Sequence, residues 1–284
     1  MIATAGRDAH LPDAPSDLRR SLATRNAWVT QVVRHPPKAY VWATAPTGSL
    51  FAWYSSRAAH AAVVDFEARV RESVGANPPL RSPPLLDRGK LWRLEQAIAP
   101  EPLQGAKVVE AILAAADELA RLRLPCPPPL VAGEPRIRGL RRRVHTLATR
   151  LPTIDFLRAR RVIETSPLPR TLSHGTFDPS HVLIEDGVPW VVDWDQSGER
   201  PAGFDLMTMW AVLEAGEDRE LLFEGAVRAI GSRYRRDLLR LRYAVLTRVI
   251  ATMLADPDVH SRDPDRGRTL LPLLASARRE AFKD

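Results

Sequence analysis

The sequence predicts an α+β protein, with a small antiparallel sheet near the N-terminus and a mostly helical C-terminal part. Three observations predict it. Residues 28–55 hold strand-like apolar runs separated by proline and glycine turns. Residues 107–282 carry a succession of helical patterns. Within that helical part, residues 182–192 read as a tight hairpin, because Asp186-Gly187 supplies the positive-φ dipeptide that joins two short apolar strands.

Taken in order, residues 1–24 form a loosely held arm that ends in a short helix. The runs Trp28–Arg34, Ala39–Ala45 and Ser49–Ser55 are strands, with Pro36-Pro37 and Pro46-Thr47-Gly48 as their turns. Residues 57–74 are a helix, since Val63, Phe66, Val70 and Val74 recur at helical spacing with no internal glycine or proline. The proline-rich stretch Asn77–Pro84 breaks it. Lys90–Glu95 returns as a strand, and Gln96–Gly105 is a connector. An amphipathic helix over 107–123 stops at the block Pro125–Pro129. Further helices are expected over 136–149, 153–163, 204–214, 217–233, 236–255 and 267–282. The domain reading is therefore an arm (1–24), a sheet-bearing part (25–98) and a helical part (99–284) that contains the segment 171–206.

A chain of 284 residues with 45% hydrophobic residues can bury a sizeable core. Cys126 is the only cysteine, so no internal disulfide forms and a cytoplasmic setting is expected. The first twenty residues lack the apolar stretch of a secretory signal, and no apolar run approaches the length of a membrane span. The net charge is +7, carried almost wholly by arginine, because only Lys38, Lys90, Lys107 and Lys283 are lysines. Ten arginines lie between Arg136 and Arg170 against Asp155 and Glu164. On helices such a run is ordinarily a solvated face. Read functionally, it offers a surface to an anionic ligand, an acidic peptide or a protein partner. No nucleic-acid motif and no interleaved aromatic residues accompany it, so nucleic-acid binding is a minor alternative.

The richest stretch is Thr171–Leu206. It holds His174-Gly175-Thr176, then His181, the hairpin strands, Val192-Asp193-Trp194-Asp195 and finally Asp205-Leu206. In this order and at these separations the segment resembles the aminoglycoside phosphotransferase and choline kinase family, whose signature runs His-Gly-Asp, four residues, Asn, a hairpin, Ile-Asp-Trp-Asp and a later Asp-Leu. The resemblance implies a two-lobed protein-kinase-like fold over nearly the whole chain, with a small antiparallel-sheet N-lobe and a mostly helical C-lobe. It also implies ATP and Mg2+ as cofactors. In such a site a base and a metal-binding Asn lie on the first loop and a magnesium-binding Asp follows the hairpin.

Carried over residue by residue, the base position falls on Thr176, which has no charge and takes no proton near neutral pH. Asp178, two residues on, is either a turn former before Pro179 or a partial substitute for the base. The Asn position is His181, whose nitrogen suits zinc or manganese better than the hard magnesium ion. Asp193 keeps the metal-binding carboxylate, and Asp195 either supports the same ion or caps the loop. His174 packs in the loop. Asp205 is either an N-cap or a brace for the backbone of the loop.

Kinase-type sites also hold the nucleotide phosphates with a lysine on the third strand, paired to a glutamate on the following helix. Glu67 fits the glutamate. The lysine slot falls at Trp53 or Ala52, and no lysine occurs between Lys38 and Lys90. Arg57 or Arg69 is the expected replacement partner for Glu67. ATP and magnesium are accordingly expected to bind weakly. Two functions follow. One is a pseudokinase, with impaired phosphoryl transfer, that acts by binding a ligand, peptide or partner. The alternative is an active ATP-dependent phosphotransferase acting on a hydroxyl through Asp178, Asp193 and one metal ion. The arginine-rich region argues against a cationic aminoglycoside as substrate.

Overall fold

The computed structural model describes residues 2–4, 11, 13–75, 81–99, 110, 114–115, 153–213, 217–255 and 270–283. The chain divides into two compact units. The first comprises Met1–Ala111, Pro127–Ala132 and Ser180–Asp195, and the second comprises Ile112–Cys126, Gly133–Pro179 and Gln196–Asp284. The segment 171–206, placed within the helical part by the sequence, is thus shared: its hairpin groups with the sheet and its flanks with the helices.

In the first unit the strands β1 (Ile2–Thr4), β2 (Trp28–His35), β3 (Lys38–Ala45), β4 (Gly48–Ser55), β5 (Leu85–Arg88) and β6 (Trp92–Gln96) form one antiparallel sheet, in the order β1-β2-β3-β4-β6-β5. Helix α1 (Ser16–Thr24) sends Leu18 and Leu22, one turn apart, into the core. The helix that ends the arm is therefore held against the sheet. β1 pairs along the edge of β2, and α1 joins the hydrophobic cluster. Burying two leucines contributes about 1.5–3 kcal/mol each, enough to fix so short a helix.

Alternation along the strands then sorts the residues onto two faces. Ala39, Val41, Ala43 and Ala45 of β3, Leu50, Ala52 and Tyr54 of β4, and Trp92 and Leu94 of β6 join Leu18 and Leu22 in that cluster. The opposite face carries Lys38, Tyr40 and Trp42, then Phe51 and Trp53, then Arg93 and Glu95. Tyr40 stacks on Phe51 at 6.2 Å and Trp42 meets Phe51 edge-on at 5.2 Å. Helix α2 (Ala61–Gly75), entered through a short 3-10 turn, buries Val64, Phe66, Val70 and Val74 together with the charged Glu67 and Arg71. The hairpin β8 (Val182–Glu185) and β9 (Val188–Val191) turns through Asp186 at φ 52° and Gly187 at φ 71°, the left-handed pair expected of its sequence.

In the second unit β7 (Arg170–Ser173) pairs antiparallel with β10 (Gly198–Pro201), a ladder the sequence did not suggest because both strands are short and polar. The helices are α3 (Thr153–Glu164), α4 (Phe204–Val212), α5 (Glu217–Ile230), α6 (Arg235–Ala255) and α7 (Leu271–Ala281). α6 is central. Leu238, Leu241, Ala244, Leu246 and Ile250 are fully buried, and Tyr243 donates its hydroxyl to Asp155 Oδ1 of α3 at 2.7 Å. Burial and the Asp155 carboxylate push the Tyr243 phenol well above its ordinary pKa. The helices expected over 107–123 and 136–149 lie outside the described residues, apart from the helical Glu110, Ala114 and Ala115. Among the described residues no helix is long and apolar enough to cross a membrane.

Candidate active site

The first unit gathers its candidate residues around Glu67. Phe66 and Val70 bury one flank of α2, and Glu67, beside them, is 0% exposed. A buried carboxylate needs a countercharge. The cation comes from β6. Arg93 stands opposite Trp53 in the strand register, so both side chains leave the sheet on the same face. Its guanidinium forms an ion pair with Glu67 Oε2. Arg93 Nε also lies 3.5 Å from Glu95 Oε2, and Arg71 closes the ring, with Nη1 2.7 Å from Glu95 Oε2 and Nη2 3.3 Å from Glu67 Oε1. All four side chains are at most 5% exposed, and the group carries two positive and two negative charges. Glu67 Oε1 also accepts the backbone N–H of Trp194 at 3.2 Å, which ties the helix to the turn after β9.

Glu67 is therefore paired, though not by the residues expected. Arg69 forms its ion pair with Asp65 at 3.3 Å, and Arg57 is exposed. The lysine slot is Trp53, since Ala52 points into the opposite core. Trp53 is 2% exposed and meets two cations, with the Lys38 Nζ 4.9 Å and the Arg93 guanidinium 5.3 Å from ring centroids. The position of Lys38 along the chain does not disclose its pairing with the end of β4. The turn Pro46-Thr47 joins the opposite ends of these strands. The strand end bearing Lys38 is closed by Pro36-Pro37, whose nitrogens carry no hydrogen to donate to a phosphate.

Asp193 follows the hairpin with φ 61°, a left-handed conformation that costs an L-residue about 1 kcal/mol or more. Its side chain is half exposed, and Oδ2 lies 3.7 Å from His181 Nε2. Partial burial raises its pKa, but the hydrogen bond from His181 and the charges of Arg93, His181 and Lys38 outweigh that and bring it to about 2. His181 itself is placed by the 3-10 turn Pro179–His181, and its carbonyl accepts the N–H of Val192 at 3.0 Å. Among the described residues no three His, Cys, Asp or Glu side chains gather into a metal-holding group. Asp193 fits a magnesium ion that draws its remaining ligands from water and phosphate oxygens; the imidazole at 181 fits it poorly.

The second unit holds the loop His174–Asp178. Asp205, in the first turn of α4, accepts three hydrogen bonds: from Ser173 Oγ at 2.8 Å, from the His174 N–H at 2.8 Å and from the Gly175 N–H at 2.9 Å. The N-cap position belongs to Gly203. His174 is fully buried and packs edge-on against Phe177 at 5.7 Å. Gly175 has φ 93°, and a Cβ there would lie 2.2 Å from the Gln196 carbonyl, so only glycine fits. Thr176 and Asp178 are half-buried on either side of Phe177. The side chain of Asp195 lies outside the described residues. Of the predicted residues, the fold brings Trp53, Glu67, His181 and Asp193 together in the first unit, and His174, Thr176, Asp178 and Asp205 in the second.

Comparisons with known proteins bear on the family and the fold. The profile described as "Phosphotransferase enzyme family" matches residues 28–243. No curated protein sequence matches. Solved structures with similar folds include macrolide 2'-phosphotransferase MphH from Brachybacterium faecium, at 14% identity and TM-score 0.55, covering 86% of this chain and 99% of that one. Choline kinase LicA from Streptococcus pneumoniae is similar at 10% identity and TM-score 0.60, covering 92% and 97%. A thermostable mutant of aminoglycoside phosphotransferase APH(4)-Ia, in ternary complex with ADP and hygromycin B, is similar at 14% identity and TM-score 0.59, covering 95% and 100%. These likenesses establish a kinase-like fold, and the profile spans most of the chain: the protein belongs to the phosphotransferase enzyme family.

Proposed function

We propose that this protein is a member of its family in which phosphoryl transfer is impaired, a pseudokinase that acts by binding a nucleotide-type ligand and an anionic partner. One observation carries the reading. Glu67, whose partner in an active site of this kind is the phosphate-holding lysine, is held instead by Arg93, buried in a closed ring with Glu95 and Arg71. A guanidinium turned inward against two carboxylates is poorly disposed to hold phosphates. Thr176, at the base position, removes the carboxylate that would orient and deprotonate an acceptor hydroxyl.

Nucleotide binding draws support from the half-exposed, ionised Asp193 and from the rings of Tyr40, Trp42 and Phe51, which offer a stacking surface to a planar base. It also draws on similar proteins: APH(4)-Ia in complex with ADP, and amicoumacin kinase hAmiN in complex with AMP-PNP and Ca2+. The anionic partner would meet the arginine-rich run 136–170, in which Arg161 is exposed. Elsewhere in that run Arg158 stacks on Phe282, Arg160 pairs with Glu164, and Arg170 donates to the carbonyls of Ile163 and Glu164. A cytoplasmic setting accords with the single Cys126.

A second reading, an active phosphotransferase using Asp178 and Asp193, is favoured by the firm anchoring of the loop on Asp205. Acceptor-dependent ADP release, measured with ATP and magnesium or manganese against hydroxyl-bearing small molecules and peptides, decides between them. No release above the acceptor-free control is expected. Release that disappears in both Asp178→Ala and Asp193→Ala establishes the second reading instead.

A further inference from the structure

We infer that Lys38 is the cation that grips the phosphate chain of the nucleotide, supplied from the strand next to the one that carries the slot. This rests on the nucleotide-binding reading above. Four observations carry it. In the antiparallel register Lys38 faces Ser55 and Tyr40 faces Trp53, so Lys38 is the diagonal neighbour of Trp53 on the same face of the sheet. Its ammonium lies 4.9 Å from the Trp53 ring centroid, over the residue that replaces the lysine. The indole fills the depth of the slot and holds the long side chain by a cation–π contact.

Secondly, the two nearby cations differ in burial. Arg93 is 4% exposed and engaged by Glu67 and Glu95, whereas Lys38 is only part-buried. Thirdly, the strand end that bears Lys38 is fixed in place. The Pro37 carbonyl accepts the N–H of Ser56 at 3.2 Å and the hydroxyl of Ser55 at 3.3 Å. Fourthly, the adjoining turn is Pro36-Pro37, so backbone amides there give a phosphate no donor and a side chain must do so. The charge of Lys38 also reaches Asp193, where it helps to hold the carboxyl ionised. A lysine beside the slot, together with a carboxylate able to take a metal ion, suits a nucleoside polyphosphate.

Calorimetric titration of ATP, adenosine and inorganic tripolyphosphate, in the presence of magnesium, tests the assignment. Lys38→Gln keeps most of the stem over Trp53 and removes the charge; Lys38→Arg keeps the charge. The wild type should bind ATP at least about tenfold more tightly than adenosine. Lys38→Gln should weaken ATP and tripolyphosphate about tenfold and leave adenosine within about twofold, while Lys38→Arg retains most of the ATP affinity. Equal weakening of ATP and adenosine would mean that Lys38 only supports the fold, and an unchanged ATP affinity would mean that it does not meet the phosphates. Either result overturns the assignment and leaves nucleotide binding intact. If the wild type binds none of the three probes, the assignment and the nucleotide reading fall together.

Discussion

At the scale of single residues, the chemistry turns on which cation Glu67 receives. Removing one partner of a buried ion pair leaves the other charge stranded, a loss of about 3–5 kcal/mol, whereas removing both is far milder. Arg93→Met should therefore lower the urea midpoint sharply. Arg93→Met combined with Glu67→Gln should recover most of it, because Gln keeps an acceptor for the Trp194 N–H and leaves the Arg71–Glu95 pair whole. A double variant no more stable than the single one would show that the ring does not work as a unit. Asp193 makes a second prediction. Its pKa in the fold, about 2, lies below the ordinary 3.8. Its contribution to stability is complete above the ordinary value and is lost as the pH falls through about 2. Carbon-detected NMR of the carboxyl should show no titration step between pH 7 and 4. Glu67 itself was legible, since it sits beside Phe66 on an apolar flank. Its partner was not, because Arg93 comes from the strand alongside, which is distant in sequence from β4 and α2.

Elements explain why the buried acid could be read and its partner could not. Hairpin and helix signals in the sequence are local: Asp186-Gly187 fixes its own turn, and the glycine- and proline-free stretch that became α2 fixes its own helix. Lateral order in a sheet is not local. Only once β6 is known to lie beside β4 does the alternation Trp92-Arg93-Leu94-Glu95 reveal two charges aimed at a helix that bears Glu67 and Arg71. The short ladder β7–β10 escaped for the same reason, being held by tertiary pairing rather than by strand-forming residues. The loop between β7 and the hairpin depends on one side chain from α4. In Asp205→Ala three buried donors lose their acceptor, each at a cost of about 1–3 kcal/mol. Hydrogen exchange at the amides of His174 and Gly175 should quicken by about a hundredfold or more, with the β3–β4 ladder unaffected. Unchanged protection at these two amides would show that the loop is held by something other than Asp205.

For the molecule as a whole, the departures from the residues expected of a kinase-type site fall in both units. Thr176 is in the second, and Trp53, His181 and Arg93 are in the first. Restoring the family residues by Trp53→Lys, Thr176→Asp and His181→Asn is therefore not enough. The introduced amine would enter a position already neighboured by Lys38 and Arg93, with Glu67 taken. ATP turnover should stay at background in that triple variant and rise measurably only when Arg93→Met is added. Equal turnover in the triple and quadruple variants would mean that Arg93 is no obstacle. The same ring of charges bears on control. In kinase-type folds the glutamate-bearing helix is a lever: it swings away, its ion pair opens, and the enzyme is off. Here α2 is fastened at Glu67 and Arg71 to a strand on one side and to the Trp194 amide on the other. Swinging it out would uncover four charges at once. A helix fastened in this way is expected to move with β6 as one rigid piece.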